Sequence, residues 1–165
     1  MVLLEQLKVV ECNGLEHITT EMEIDGDIES DSGHFHPPFL PKLTSLYIHS
    51  CRRLEYVFKI PLAQGLRHLE SICITNAPQL KQVFNVAKEK NGVDHAIELP
   101  HLQHLKLENL INLSCVCSEN YPFVSPSLQK LTIEDCPRLT KVIQPEVNKQ
   151  VQLKVFLYFF SFNCG

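Results

Sequence analysis

The residue types that could do chemistry in this sequence are an alternating acidic run, Asp25, Asp27, Glu29 and Asp31, the pair Cys115 and Cys117 downstream of His101 and His104, and the thiol of Cys73. A calcium loop uses alternating carboxylates. Counted from Asp25 as first ligand, however, it would carry Ser30 where Gly makes the sharp turn and His36 where a bidentate Glu belongs. The run therefore reads as a solvated acidic loop, and His34-Phe35-His36 beside it as exposed polar sequence. Zinc ordinarily takes two closely spaced Cys/His pairs. No second pair follows Cys115 and Cys117, and Val116 between them is needed for the core, so no metal is assigned. Covalent catalysis needs a Ser or Cys beside a base held by an orienting group. Cys73 and His104 are expected on one face of a strand array, but no flanking motif completes a catalytic set. The chain is read as a non-enzyme without a cofactor.

These side chains are positioned by a repeating apolar frame. In the stretch LTSLYIHSCRRLEYVF, Leu43, Leu46, Ile48, Cys51, Leu54 and Val57 spell L-x-x-L-x-I-x-x-C-x-x-L-x-x-V. The same frame returns at Leu4, Leu69, Leu102 and Leu128, ending at Ile18, Val83, Val116 and Val142, and every frame position is apolar. The starts are 39, 26, 33 and 26 residues apart. Self-similarity at this period is the mark of a leucine-rich repeat. The expected fold is α/β: a solenoid of about five repeats, with short parallel strands on a concave sheet and irregular convex segments. Residues 1–143 form the repeat domain, interrupted by an acidic insertion at 19–41 and a polar one at 85–101. Residues 144–165 are a non-repeat tail, read as either a capping strand or a non-native extension. Pro41, Pro100 and Pro126 precede repeat starts by two residues, and Pro78 and Pro137 follow the Cys-type position, as suits strand ends and turns.

Around the second and third frame positions, apolar and polar residues alternate, as in Leu105-Lys106-Leu107-Glu108. Period-2 geometry sends the intervening residues to the face opposite the core. The candidate protein-binding surface is therefore Lys8, Glu11, Ser45, Tyr47, His49, Ser71, Cys73, Thr75, His104, Lys106, Glu108, Lys130, Thr132 and Glu134. Gln6, Val10, Ser50, Asn76, Asn109 and Asp135 share that face.

Composition narrows the function classes. The formal charge is −4, yet six carboxylates lie between Glu21 and Asp31 with no cation among them; the other 13 acidic and 15 basic residues leave a formal +2. Nothing here calls for nucleic acid or an anionic membrane as a partner. The Val155–Phe162 apolar run is shorter than the roughly 20 residues a membrane helix needs. Three of the seven cysteines, Cys12, Cys51 and Cys136, take one frame position, so they are expected as small buried hydrophobes rather than disulfide partners. MVLLEQLKVV resembles no cleavable leader. Together these place the chain in the cytoplasm. Because the first repeat begins at Leu4 with no polar cap ahead of it, the chain is expected to be a fragment or the product of a truncated gene.

FLPKLTSLYIHSCRRLEYVF, LRHLESICITNAPQLKQVF and SPSLQKLTIEDCPRLTKVI closely resemble the C-terminal leucine-rich repeats of plant coiled-coil nucleotide-binding disease-resistance proteins, over residues 4–143. The resemblance implies a defense role: repeats that recognise a pathogen effector or a host protein, or that contact other domains of a parent receptor and restrain its nucleotide switch. No Gly-rich phosphate loop or coiled coil is present here. Two alternatives stand beside it. One is a substrate adaptor of an F-box ubiquitin ligase, although Leu54-Glu55-Tyr56 and Leu139-Thr140-Lys141 depart from that family's repeat. The other is a relic without independent function.

Overall fold

Each repeat is punctuated by two tight turns whose positions follow from the frame. The computed structural model describes residues 4–18, 40–59, 65–85, 96–117, 123–140, 142 and the backbone of 152–156. In the first turn, the N–H of the leading frame leucine bonds back three residues: Leu43 to Leu40 O at 3.1 Å, Leu69 to Leu66 O at 3.2 Å, Leu102 to Leu99 O at 3.2 Å and Leu128 to Ser125 O at 3.3 Å. Pro41, Pro100 and Pro126 occupy the second residue of these turns, where a fixed φ near −65° is wanted and no N–H is missed. The second turn closes from the fifth frame position to the fourth, as in Leu80 N–H to Ala77 O at 3.1 Å and Leu139 N–H to Cys136 O at 3.2 Å. Pro78 and Pro137 hold the equivalent place there.

Between the two turns run five-residue strands: β1 (Gln6–Val10), β2 (Ser45–His49), β4 (Ser71–Thr75), β7 (His104–Glu108) and β10 (Lys130–Glu134). A last strand, β11 (Gln152–Phe156), completes a parallel six-stranded sheet in the order β1-β2-β4-β7-β10-β11. Its register aligns Leu7, Leu46, Ile72, Leu105 and Leu131 in one row and Val9, Ile48, Ile74, Leu107 and Ile133 in another. Leu153 and Val155 continue these rows in backbone register, so the sheet extends into the segment that the frame left outside the repeats.

The expectation of irregular segments opposite this sheet is corrected. The final frame position opens a second parallel sheet, β3 (Tyr56–Lys59), β5 (Gln82–Asn85) and β8 (Cys115–Cys117), and Ile97–Glu98 (β6) pairs with Phe123–Val124 (β9) in a third. Both residues of Val57-Phe58 and of Val83-Phe84 are buried, as in a strand covered on both faces. Phe58, Phe84 and Phe123 stack in sequence, with centroids 6.4 and 6.1 Å apart. One apolar cluster takes in residues of all three sheets. Among the described residues there is no helix, so the α component of the expected class is not seen there.

Burial is uneven along the array. Leu43, Leu46, Ile48, Cys51, Leu54 and Val57 are fully enclosed, whereas in the first repeat Leu7, Val9, Leu15 and Ile18 are half-buried and Leu4 is 40% exposed. Cys12, expected in the core, is exposed; Cys51 and Cys136 are buried. A repeat is sealed by neighbours on both sides, and β1 has one neighbour among the described strands.

Candidate functional site

Strand register stacks the outward residues of the six-stranded sheet into rungs. The first rung is Gln6, Ser45, Ser71, His104 and Lys130; the second is Lys8, Tyr47, Cys73, Lys106 and Thr132; the third is Val10, His49, Thr75, Glu108 and Glu134. Of the residues expected on this surface, Thr75 and Thr132 are each only 7% exposed and present little contact area, which corrects their place among the binding residues. Their side chains are short, and each strand is flanked on both sides, so longer neighbours such as His49 close over Thr75.

The rungs are wired laterally. Ser71 Oγ donates to Ser45 Oγ at 3.0 Å, and a hydrogen bond of 2.7 Å joins His49 Nδ1 to Thr75 Oγ1. Lys8 Nζ sits 5.4 Å from the Tyr47 ring centroid, and that ring stacks on His49 at 6.3 Å. An ammonium so placed is attracted by the ring quadrupole. Lys106 Nζ lies 2.6 Å from Glu108 Oε2, and this hydrogen bond holds its pKa above the ordinary lysine value. A half-exposed pair of this kind contributes about 0–1 kcal/mol, so its main effect is to fix both side chains. Near the β1 end of the sheet the second rung thus presents an aromatic ring beside one cation, Lys8, with Lys106 two strands further along and carboxylates at Glu108 and Glu134 on the third rung.

Chemistry at Cys73 is disfavoured by its surroundings. Burial raises its thiol pKa, against the lowering effect of Lys106, so the neutral form is the one present near pH 7. Register sets Cys73 opposite Lys106, while His104 stands opposite Ser71 one rung away.

Glu11, Ser50, Asn76, Asn109 and Asp135 follow the strands in the left-handed conformation, with φ between 50° and 56°. In the first four, that turn directs the N–H to the next strand: Glu11 to His49 O at 2.8 Å, Ser50 to Thr75 O at 3.1 Å, Asn76 to Glu108 O at 3.1 Å and Asn109 to Glu134 O at 2.9 Å. Asn109 Nδ2 also donates to Asn76 Oδ1 at 2.7 Å. Glu11 is therefore on the rim of the surface, where the chain leaves the sheet.

Elsewhere, Cys115 and Cys117 are buried in β8, and burial pushes the Cys117 thiol far up. His101 stacks instead on His68, with centroids 5.9 Å apart and planes 4° from parallel. Both histidines occupy the position before a leading frame leucine, a coincidence visible in the sequence as His68-Leu69 and His101-Leu102 that sequence reasoning missed. Among the described residues, no group of three or more His, Cys, Asp or Glu side chains is placed to hold a metal ion. The acidic run at Asp25–Asp31, His34-Phe35-His36 and residues 86–95 of the polar insertion at 85–101 lie outside the described residues, while Ile97–Glu98 of that insertion form β6.

The decisive comparison is with protein families: the model for "Plant disease resistance protein RPS2-like, leucine-rich repeats" matches residues 27–156. The chain belongs to this leucine-rich-repeat family. The match ends at Phe156, the last residue of β11. Similar relatives in Arabidopsis thaliana are the Probable disease resistance protein At4g27220, 32% identical over 61% of this chain, and the Probable disease resistance protein At5g47250, 30% identical over 62%. The Probable disease resistance protein At5g43740 is 28% identical over 85% of this chain. The chain spans 11%, 12% and 16% of the lengths of these three relatives. No solved structure matches it. The matched residues include β2, β4, β7, β10 and β11, the strands that carry most of the rungs. No helix among the described residues is long and apolar enough to cross a membrane.

Proposed function

We propose that the chain is the protein-recognition part of a disease-resistance receptor: a solenoid of five stacked repeats whose concave sheet, in the cytoplasm, binds a pathogen effector or a host protein, or contacts other domains of a parent receptor, without catalysing a reaction. The observation that carries this reading is the Tyr47 cluster. A tyrosine between Lys8 and His49, held on parallel strands with its neighbours hydrogen-bonded, combines a rigid amphipathic ring with adjacent charge. Binding energy at protein interfaces concentrates on residues of this kind. Preorganisation keeps the ordering cost of binding low.

Ser45 and Ser71 lie on the Tyr47 strand and the next one, and His104, Lys106, Glu108, Lys130 and Glu134 on the two strands beyond set charge preference, cationic along the middle rung and acidic along the third. The test is a binding measurement with effector and host proteins selected by display against the full chain. Tyr47→Ala with Lys106→Ala is expected to abolish a selected interaction while leaving the unfolding free energy within about 1 kcal/mol of the parent, since both side chains point away from the core and lose surface contacts alone. Undiminished binding by the double variant refutes the surface; equal loss of folding assigns these residues to structure.

A further inference from the structure

We infer that β11 is an exchangeable occupant of the β10 edge, and that β1 of a second copy of this chain takes its place, joining copies head to tail. The two strands stand at opposite ends of the six-stranded sheet and are near copies of one another: Gln6-Leu7-Lys8-Val9-Val10 against Gln152-Leu153-Lys154-Val155-Phe156. The structure seats the second of these on β10, with Lys130 opposite Gln152, Leu131 opposite Leu153 and Ile133 opposite Val155. Any strand reading Q-L-K-V satisfies that register equally, and β1 faces away from β2 along the edge it would use.

The inter-repeat bonds continue across such a junction. Thr44 and Ser45 N–H bond to Glu5 O, Glu70 and Ser71 N–H to Thr44 O, and Gln129 and Lys130 N–H to Gln103 O. One repeat further on, Glu5 and Gln6 N–H of the second copy would meet Gln129 O. Likewise Glu55 bonds to Glu16 O, Lys81 to Glu55 O, Ser114 to Lys81 O and Thr140 to Ser114 O, so Glu16 N–H would meet Thr140 O. The apolar ends also match: Leu15 and Ile18 are half-buried at one end of the array, Leu139 and Val142 at the other, and they are the same frame positions.

Two effects compete for the β10 edge. Tethering by residues 135–151 gives β11 a high effective concentration. A second copy brings a whole repeat, with Leu15 and Ile18 to lay against Leu139 and Val142, so exchange is favoured as concentration rises. Contacts of this head-to-tail kind do not pair a surface with itself, and they build open chains rather than closed dimers.

The test is disulfide trapping in the full chain. Gln6→Cys with Lys130→Cys places thiols at exposed positions four strands apart within one copy, about 19 Å at the usual strand spacing, so no internal bridge can form. Mild oxidation over a concentration series is expected to give a ladder of covalent multimers, with peptide mapping locating the 6–130 bridge and circular dichroism confirming the parent fold. Absence of that bridge at every concentration overturns the inference. A ladder formed instead by Gln6→Cys with Gln152→Cys, with no 6–130 bridge, also overturns it, because β11 would then remain in place at the junction.

Discussion

Substituting glycine at the left-handed positions after the strands separates backbone strain from side-chain bonding, because the sign of the effect differs between equivalent sites. Ser50 has φ 55° and its N–H bonds to Thr75 O at 3.1 Å, a bond that glycine keeps. A residue with a Cβ incurs roughly 1–2 kcal/mol in this region. Glycine relieves it but costs about 0.5–1 kcal/mol in unfolded-chain entropy. Ser50→Gly is therefore expected to stabilise by about 0.5–1 kcal/mol. Asn109 has φ 52°, but asparagine tolerates this conformation, and its Nδ2 donates to Asn76 Oδ1 at 2.7 Å. Asn109→Gly forfeits about 0.5 kcal/mol for that exposed bond plus the entropy term, a loss of about 1–1.5 kcal/mol. Urea unfolding of the full chain reads both, the midpoint rising for Ser50→Gly and falling for Asn109→Gly with unchanged slope. Shifts in the same direction at both sites would refute the reasoning.

Three further outcomes are expected. Leu46→Ala, at a fully enclosed site, costs about 2–5 kcal/mol, while Leu7→Ala in the same strand row at the half-buried end costs less than half as much; equal losses would show that β1 is sealed. Cys12 is expected to react with a maleimide in the native protein at pH 7 while Cys51 and Cys136 resist until unfolding, as mass spectrometry of the alkylated chain would show. Burial raises the Cys136 thiol from 9.0 to about 11, so the neutral thiol favours the folded state: its contribution is full below about pH 9 and is lost as pH rises to about 11. Cys136→Ala should flatten the alkaline fall in unfolding midpoint, and an unchanged fall would contradict this origin.

Periodicity alone located the five principal strands, because each frame places two apolar residues two apart between turn-forming positions, as at Leu46 and Ile48 or Leu131 and Ile133. Burial of the end repeat was not legible in the same way. Cys12 and Cys51 have equivalent positions and opposite environments, since enclosure depends on a neighbouring repeat rather than on the frame. The second sheet was missed because Val57-Phe58 and Val83-Phe84 are adjacent apolar pairs, and a strand covered on both faces does not alternate. The two-residue strands β6 and β9 carry too little pattern to be read. For the surface, period-2 alternation named the outward residues, but which ones touch depends on register across connections of unequal length. Lys8 and Tyr47 are 39 residues apart in sequence, and only the β1–β2 pairing brings the ammonium to the ring. The burial of Thr75 and Thr132 was hidden for the same reason: neighbouring strands, not the residue type, decide how much of a short side chain is covered.

Recognition through the outward face of the six-stranded sheet is tested most directly by photo-cross-linking. The full chain carries benzoylphenylalanine at Tyr47, on that face, or at Arg53, exposed in a turn outside the sheet. Each is irradiated with a protein selected to bind the unmodified chain, at equal occupancy. A covalent product from position 47 and none from position 53 is the predicted result. A product from position 53 alone would move the binding surface off the sheet and contradict the account.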